Sequence, residues 1–243
     1  MFFVFPFYMI LIIYILAAVL SAFFLMRYVY RQDHIEKESP ILLIHLIFCG
    51  MAAALISVLF EYIGEIILNT ATNGKISNSS PTYIILFAFL VVGVIEEGAK
   101  LVFLYIRSWN APDFNYRFDG IIYSVFTGLG FAAFENIKYV MGYGLTVAVP
   151  RALLAIPGHM SFAVFMGVFY GRARLAEDQG SKVKKHLNML TGYLIAITLH
   201  GIYDSCAMIG TTLATIIFLV FVITLYLIVF QVIKRESRND RPV

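Results

Sequence analysis

Seven long apolar runs, at about residues 2–26, 40–60, 82–106, 119–140, 151–170, 188–208 and 212–233, leave this chain no room for a water-soluble fold. About 20 apolar residues are what an α-helix needs to cross the hydrocarbon core of a bilayer. With no water at that depth, every backbone N–H and C=O must find its partner inside the helix. The loops between the runs are short and polar, and none is large enough to fold separately. Hydrophobic residues make up 60% of the sequence and charged ones 14%, the balance of a polytopic membrane protein. The expected architecture is all-α: a transmembrane bundle of about seven helices forming one domain over residues 1–243.

Charge placement reports topology. With the N-terminus outside, 14 of the 18 Lys and Arg residues fall in cytoplasmic loops. Lys75, Lys138 and Arg151 fall on the outer side, and Lys100 lies within a run. This is a strong positive-inside bias, which puts the C-terminus in the cytoplasm. The net charge of +3 therefore says little about acidic partners, and no nucleic-acid partner is expected. Cys49 and Cys206 lie in apolar runs and form neither a disulfide framework nor a cysteine metal site. Met1 to Pro6 lacks a basic segment, so the first helix reads as retained and not as a cleaved signal. Tyr105, Trp109 and Tyr116 read as interfacial anchors. Glu61 and Glu65 share a face at the outer end of the second run, where solvated head-group contacts are the simplest reading.

The third run carries Glu96-Glu97-x-x-Lys100 near its centre. One charge at that depth costs on the order of 2.5–3.5 kcal/mol, so such residues pair and face a cavity. Lys100 follows Glu96 by four residues and Glu97 by three, so it reaches either from the next turn. The two carboxylates point about 100° apart and serve different ends. One stays ionised against Lys100 while the other, desolvated and repelled by its neighbour, holds its proton; acid–base chemistry uses such a split. A structural ion pair between helices is the plainer alternative.

Three later runs bring further polar groups. Phe131 and Glu135 share a face of the fourth helix beside Asn136, with Gly128 and Gly130 admitting a neighbour. Pro157-Gly158 precedes His159 in the fifth, where a kink or opening is expected. His200 and Asp204 lie one turn apart in the sixth, so the carboxylate can fix the imidazole tautomer. At about 1.5 Å of rise per residue, Glu96, Glu135, His159 and His200 reach overlapping depths between the middle and the outer half of the membrane. With neutral histidines, Glu96, Glu97, Glu135, Asp204 and Lys100 sum to −3 if all are ionised. A dry site does not hold that charge, which calls for protonated carboxylates, charged histidines, entering water or a divalent cation.

The ordered set Glu96-Glu97-x-x-Lys100, Phe131-x-x-x-Glu135, His159 and His200-x-x-x-Asp204 resembles the signature of the PrsW family of intramembrane proteases, distant relatives of the CAAX prenyl endopeptidases and bacterial CPBP proteins. It covers residues 96–204, with a shared core of helices within 82–208. The CAAX-type pattern has an arginine after its glutamate pair and a histidine in its second motif; Lys100 and Glu135 stand here instead. The resemblance implies a multi-pass protein of the bacterial plasma membrane that needs no cofactor. It would cut a single-pass membrane protein, such as an anti-sigma factor, near the outer membrane boundary with glutamate-activated water. Carried onto this chain, Glu97 is the expected base, on the premise that Glu96 is the better-paired anion. Glu135 and His159 would position the water or protonate the leaving amine. His200, steadied by Asp204, would donate to the oxyanion. Lys100, Phe131 and Asn136 would support the site.

Two other readings use the same residues. In a metal-dependent hydrolase, Glu135, His159 and His200 would ligate Zn²⁺, although no His-Glu-x-x-His occurs and Glu135-x-x-Lys138 is not a Glu-x-x-His motif. In an ion-coupled transporter the carboxylates and histidines would relay protons, but the internal repeat common in transporters is missing.

Overall fold

The computed structural model describes residues 7–243. The expected start of the first helix at Phe2, and the reading of Met1 to Pro6, lie outside that range. The helices are α1 (Phe7–Gln32), α2 (Pro40–Ala71), α3 (Pro81–Leu86), α4 (Val94–Ser108), α5 (Asp119–Tyr143), α6 (Ala148–Leu153), α7 (Ala155–Asp178), α8 (Lys182–Ile209) and α9 (Thr212–Arg238). A π-helical stretch, Phe87–Gly93, joins α3 to α4, and a short 3₁₀ turn, Leu145–Val147, leads into α6. Within the described residues the seven expected runs are therefore all helical, the third and fifth each divided. Among the described residues the sole extended pairing is an isolated antiparallel bridge between Tyr116 and Pro242.

Six of these segments are long and apolar enough to cross a membrane. The remaining one, Pro81–Ser108, carries Glu96, Glu97, Lys100 and Arg107 and is interrupted by the π stretch. Several helices outrun their apolar bands: α2 continues to Ala71 and α9 to Arg238. Hydropathy marks the part of a helix that meets lipid, whereas the helix ends where the backbone is stopped. Gly210, at φ +70°, stops α8 in this way, a left-handed residue that glycine adopts without penalty.

α5 is the central post. From Asp119 to Ala133 every residue is buried, and α5 packs on α1, α2, α4 and α7. Small residues set the approach: a Cβ at Gly50 of α2 would lie 2.0 Å from the Thr127 carbonyl oxygen of α5, and one at Gly130 would lie 2.3 Å from that of Ile47. Such contacts are how membrane helices pack where burial in lipid provides little drive. The outer faces of α2 and α9 expose Ile41, Phe48, Leu59, Leu213, Val220 and Leu227, a lipid-facing surface too large for a soluble protein to present to water.

Trp109 is not an interfacial anchor. It is 2% exposed, and its indole N–H donates to Glu177 at 2.8 Å. It packs edge-on against Phe114 and Tyr170, because the loop after α4 folds inward over the end of α7. That loop is tied down by Asp119, which accepts the backbone N–H groups of Asn115 and Tyr116, and by the Arg117–Glu236 ion pair at 2.7 Å.

Candidate active site

The glutamate pair opens α4, directly after the π stretch. A stretch wound with i→i+5 bonds re-phases the helix that follows it, and such insertions concentrate at functional sites. Lys100 Nζ reaches back one turn, 2.7 Å from Glu97 Oε1 and 3.2 Å from Glu96 Oε2. It also lies 3.9 Å from the centroid of the Phe131 ring and 3.2 Å from His159 Nδ1. Phe131 thus seats the ammonium on its face, an electrostatic contact worth more once water is excluded.

The pairing within the glutamates is the reverse of the expected one. Glu97 is the better-held anion: 1% exposed, it also accepts from His200 Nδ1 at 2.8 Å. Glu96 has the longer contact to Lys100 and borders the cavity described below. The physical reason is helix rotation. The i+3 and i+4 positions are both within reach of one lysine, and what lies beside each carboxylate decides which it grips. His200 of α8 stands beside Glu97.

His200 accordingly has three carboxylate neighbours, with Glu97 the closest. Its Nε2 lies 3.4 Å from Asp204 Oδ2 and 3.9 Å from Glu96 Oε2. The ring is thus held mainly through Nδ1–H to Glu97, and Asp204 is a weaker second partner at Nε2. Both ring nitrogens face acceptors, so an imidazolium, with two N–H donors, satisfies more of the site than either neutral form. The His159 and His200 ring centroids lie 5.3 Å apart, and Phe162 stacks on His200 at 4.8 Å.

His159 lies just after the break between α6 and α7. The opening falls at Leu154 and not at Pro157-Gly158, since Pro157 sits in the first turn of α7, where a missing N–H costs nothing. His159 Nε2 meets Glu135 Oε2 at 3.0 Å. Asn136, in contrast, stays out of the reactive group: its amide donates to the Ala18 carbonyl at 2.7 Å, and its oxygen accepts from Arg151 Nε at 2.9 Å.

Four carboxylates and two histidines from α4, α5, α7 and α8 thus converge as the motifs predict. Sequence reasoning missed two contributors. Arg151 forms an ion pair with Glu135 at 2.7 Å, so the four carboxylates against Lys100 and Arg151 leave a formal −2. Glu61, read as a head-group contact, lines the cavity. Arg151 sat at the edge of an apolar run, where a cation reads as a loop residue; for Glu61 the one signal was its place on a helix face. The cavity, of about 580 Å³, is bordered by Glu61, Glu96, Glu135, Arg151, His159 and His200, with Phe162, Tyr203 and Phe218 as apolar wall. That volume is within the range of ligand-binding clefts.

Acid, base and imidazole around a cavity inside a bundle of membrane-crossing helices are the equipment of an intramembrane hydrolase. The chain matches the family described as "PrsW family intramembrane metalloprotease" over residues 38–232. It is 30% identical to protease PrsW of Clostridioides difficile (strain 630) over 232 residues, 94% of this chain and 93% of that one. Protease PrsW of Shouchella clausii is 28% identical over 226 residues, 92% and 97% of the two chains. That of Bacillus subtilis (strain 168) is 30% identical over 181 residues, 74% and 76%. No solved structure matches. The chain belongs to the PrsW family of intramembrane proteases and is a multi-pass membrane protein.

The family description implies a metal ion. Glu96, Glu97, His159 and His200 each bring one donor atom within 4.8 Å of the others, and mixed carboxylate and imidazole donors suit zinc. Yet the Lys100 ammonium is already bound to three of the four, at 2.7 to 3.2 Å. A divalent ion there would lie against a fixed positive charge and compete for the same oxygens. As arranged, with Lys100 seated, these residues do not fit a resident metal.

Proposed function

We propose that the chain is a glutamate-dependent endopeptidase in which Glu96, not Glu97, is the general base. The observation that carries this reading is that Glu96 is the member of the pair that borders the cavity, while Glu97 is enclosed between Lys100 and His200. Glu96 takes a proton from a water in the cavity as the water oxygen attacks the scissile carbonyl carbon. The oxyanion that forms accepts from His200 Nε2–H, which lies on the cavity side beside Asp204; a charged donor in a dry site stabilises it strongly. Collapse of the intermediate breaks the C–N bond, and Glu96 returns the proton to the leaving amine. Glu97 holds Lys100 and His200 in register, and Glu135 holds His159.

The substrate is a single-pass membrane protein, with an anti-sigma factor as the leading class, in a bacterial plasma membrane. The cavity lies toward the ends of α2, α5 and α8 and the beginnings of α6 and α9. With the N-terminus outside, as the basic loops favour, that is the outer half of the bundle, so cleavage falls near the outer membrane boundary.

Cleavage of tagged single-pass membrane proteins in proteoliposomes tests this, using wild type, Glu96→Gln and His159→Ala, each with and without chelator. Loss in both variants with no chelator effect is expected. Full cleavage by Glu96→Gln would remove the mechanism, and cleavage abolished by chelator would show that Lys100 gives way to a metal.

A further inference from the structure

Arg151 lies on α6, a short helix set apart from α7 by Leu154, and all its close polar partners belong to one stretch of α5. Its Nη2 donates to Glu135 Oε2 at 2.7 Å, its Nε donates to Asn136 Oδ1 at 2.9 Å, and its guanidinium carbon lies 3.8 Å from the Tyr139 ring centroid. Asn136 is fully buried and its amide is committed to the Ala18 carbonyl of α1, so its oxygen is aimed at Arg151 and nowhere else. A planar fork held on two edges and one face has little freedom left.

The oxygen that Arg151 grips is also the one that meets His159. Glu135 Oε2 lies 3.0 Å from His159 Nε2, and the other ring nitrogen, Nδ1, lies 3.2 Å from Lys100 Nζ. An arginine is always charged and places the compensating charge on Glu135. A carboxylate only accepts, so Nε2 carries the hydrogen; an ammonium only donates, so Nδ1 offers its lone pair. We propose that Arg151 is a positioning residue of this site: through the Glu135 carboxylate it holds His159 in the Nε2–H tautomer, with Nδ1 presented to Lys100 and the ring face fixed beside the cavity. Nothing in the motifs at residues 96–204 requires an arginine at this place; the contact exists because α6, entered by the short turn after α5, packs beside α5.

Nitrogen-15 NMR of histidine-labelled protein in micelles reads the tautomer directly, with the His159 signal assigned by its loss in His159→Asn. Wild type is expected to show a protonated Nε2 and an unprotonated Nδ1 at His159, and Arg151→Met a mixture of forms. Resting on the peptidase reading, kcat in Arg151→Met falls about 10–100-fold, as when a partner orienting a site histidine is lost, with KM unchanged. Arg151→Lys recovers part of the loss, and free guanidinium recovers part of it in Arg151→Ala. Asn136→Ala, which frees one edge of the fork and leaves the ion pair, changes both readouts in the same direction by less, so the inference stands or falls even if Arg151→Met does not fold. An unchanged tautomer in Asn136→Ala and in any folded Arg151 variant would overturn it. A rise in KM with kcat intact would make Arg151 a substrate contact instead. If wild type cleaves no membrane protein the peptidase reading fails alone, since the tautomer is read without substrate.

Discussion

Glu96→Gln and Glu97→Gln are the same chemical change one residue apart, and the structure sets their consequences apart. Glu97 is 1% exposed and takes both the Lys100 ammonium, at 2.7 Å, and His200 Nδ1, at 2.8 Å. Replacing it with an amide leaves Lys100 with Glu96 at 3.2 Å and His200 with Asp204 at 3.4 Å. Removing one partner of a buried ion pair costs about 3–5 kcal/mol. For a chain of this size 1 kcal/mol moves Tm by about 2–4 °C, so Glu97→Gln should lower Tm by roughly 6–20 °C. Glu96 keeps an amide hydrogen bond to its neighbourhood and faces the cavity, so Glu96→Gln should cost about 1 kcal/mol, or 2–4 °C. The order of activity defects differs: Glu96→Gln should lose about 10²–10⁴-fold in kcat for want of a base while remaining folded. Thermal unfolding in detergent, paired with cleavage of a membrane substrate in liposomes, gives both quantities. Equal destabilisation by the two variants would refute the assignment of Glu97 as the enclosed anion. Cleavage by Glu96→Gln within tenfold of wild type would refute the base.

Glu38, in the loop between α1 and α2, makes stability depend on pH. Burial pushes its carboxyl up to about 7 from an ordinary 4.5, with hydrogen bonds to Tyr123 and Asp119 pulling the other way. A raised carboxyl stabilises the folded state fully below 4.5 and loses that contribution as pH rises through about 7. Relative to wild type, Glu38→Gln should therefore gain about 2 kcal/mol between pH 5.5 and pH 8, read as a Tm that falls less steeply over that interval, the buried Asp119 carboxyl beside it keeping part of the slope. Gly50→Ala forces a Cβ to 2.0 Å from the Thr127 carbonyl oxygen and should destabilise by about 1–3 kcal/mol or more; Gly142→Ala, with nothing within 4 Å of its Cβ, should melt at or above wild type. After equilibration with Zn²⁺ and gel filtration, metal analysis should find well below one zinc per wild-type chain, and a stoichiometric zinc would mean that Lys100 swings out of the donor set.

The helices and the polar layer were legible from the sequence because both follow from short-range rules. A run of apolar residues long enough to span lipid has to be helical whatever surrounds it. The offsets 96/97 to 100, 131 to 135 and 200 to 204 put side chains on one face by helix geometry alone. Rise per residue then brought acid, base and imidazole to one depth, and the contacts among Glu96, Glu97, Lys100, Glu135, His159 and His200 agree with it.

What the tertiary structure decided is rotation and approach. Which glutamate is enclosed depends on α8 placing His200 beside Glu97, a contact across 103 positions of sequence. Arg151 enters the site because α6, just past the turn that follows α5, packs beside α5. Trp109 turns inward because its loop closes over Tyr170. Hydropathy and spacing define each helix's depth and its faces but not the angle at which two faces meet. That angle is fixed by packing between helices, such as the close crossing at Gly50 and Gly130, and so appears only once the bundle is assembled.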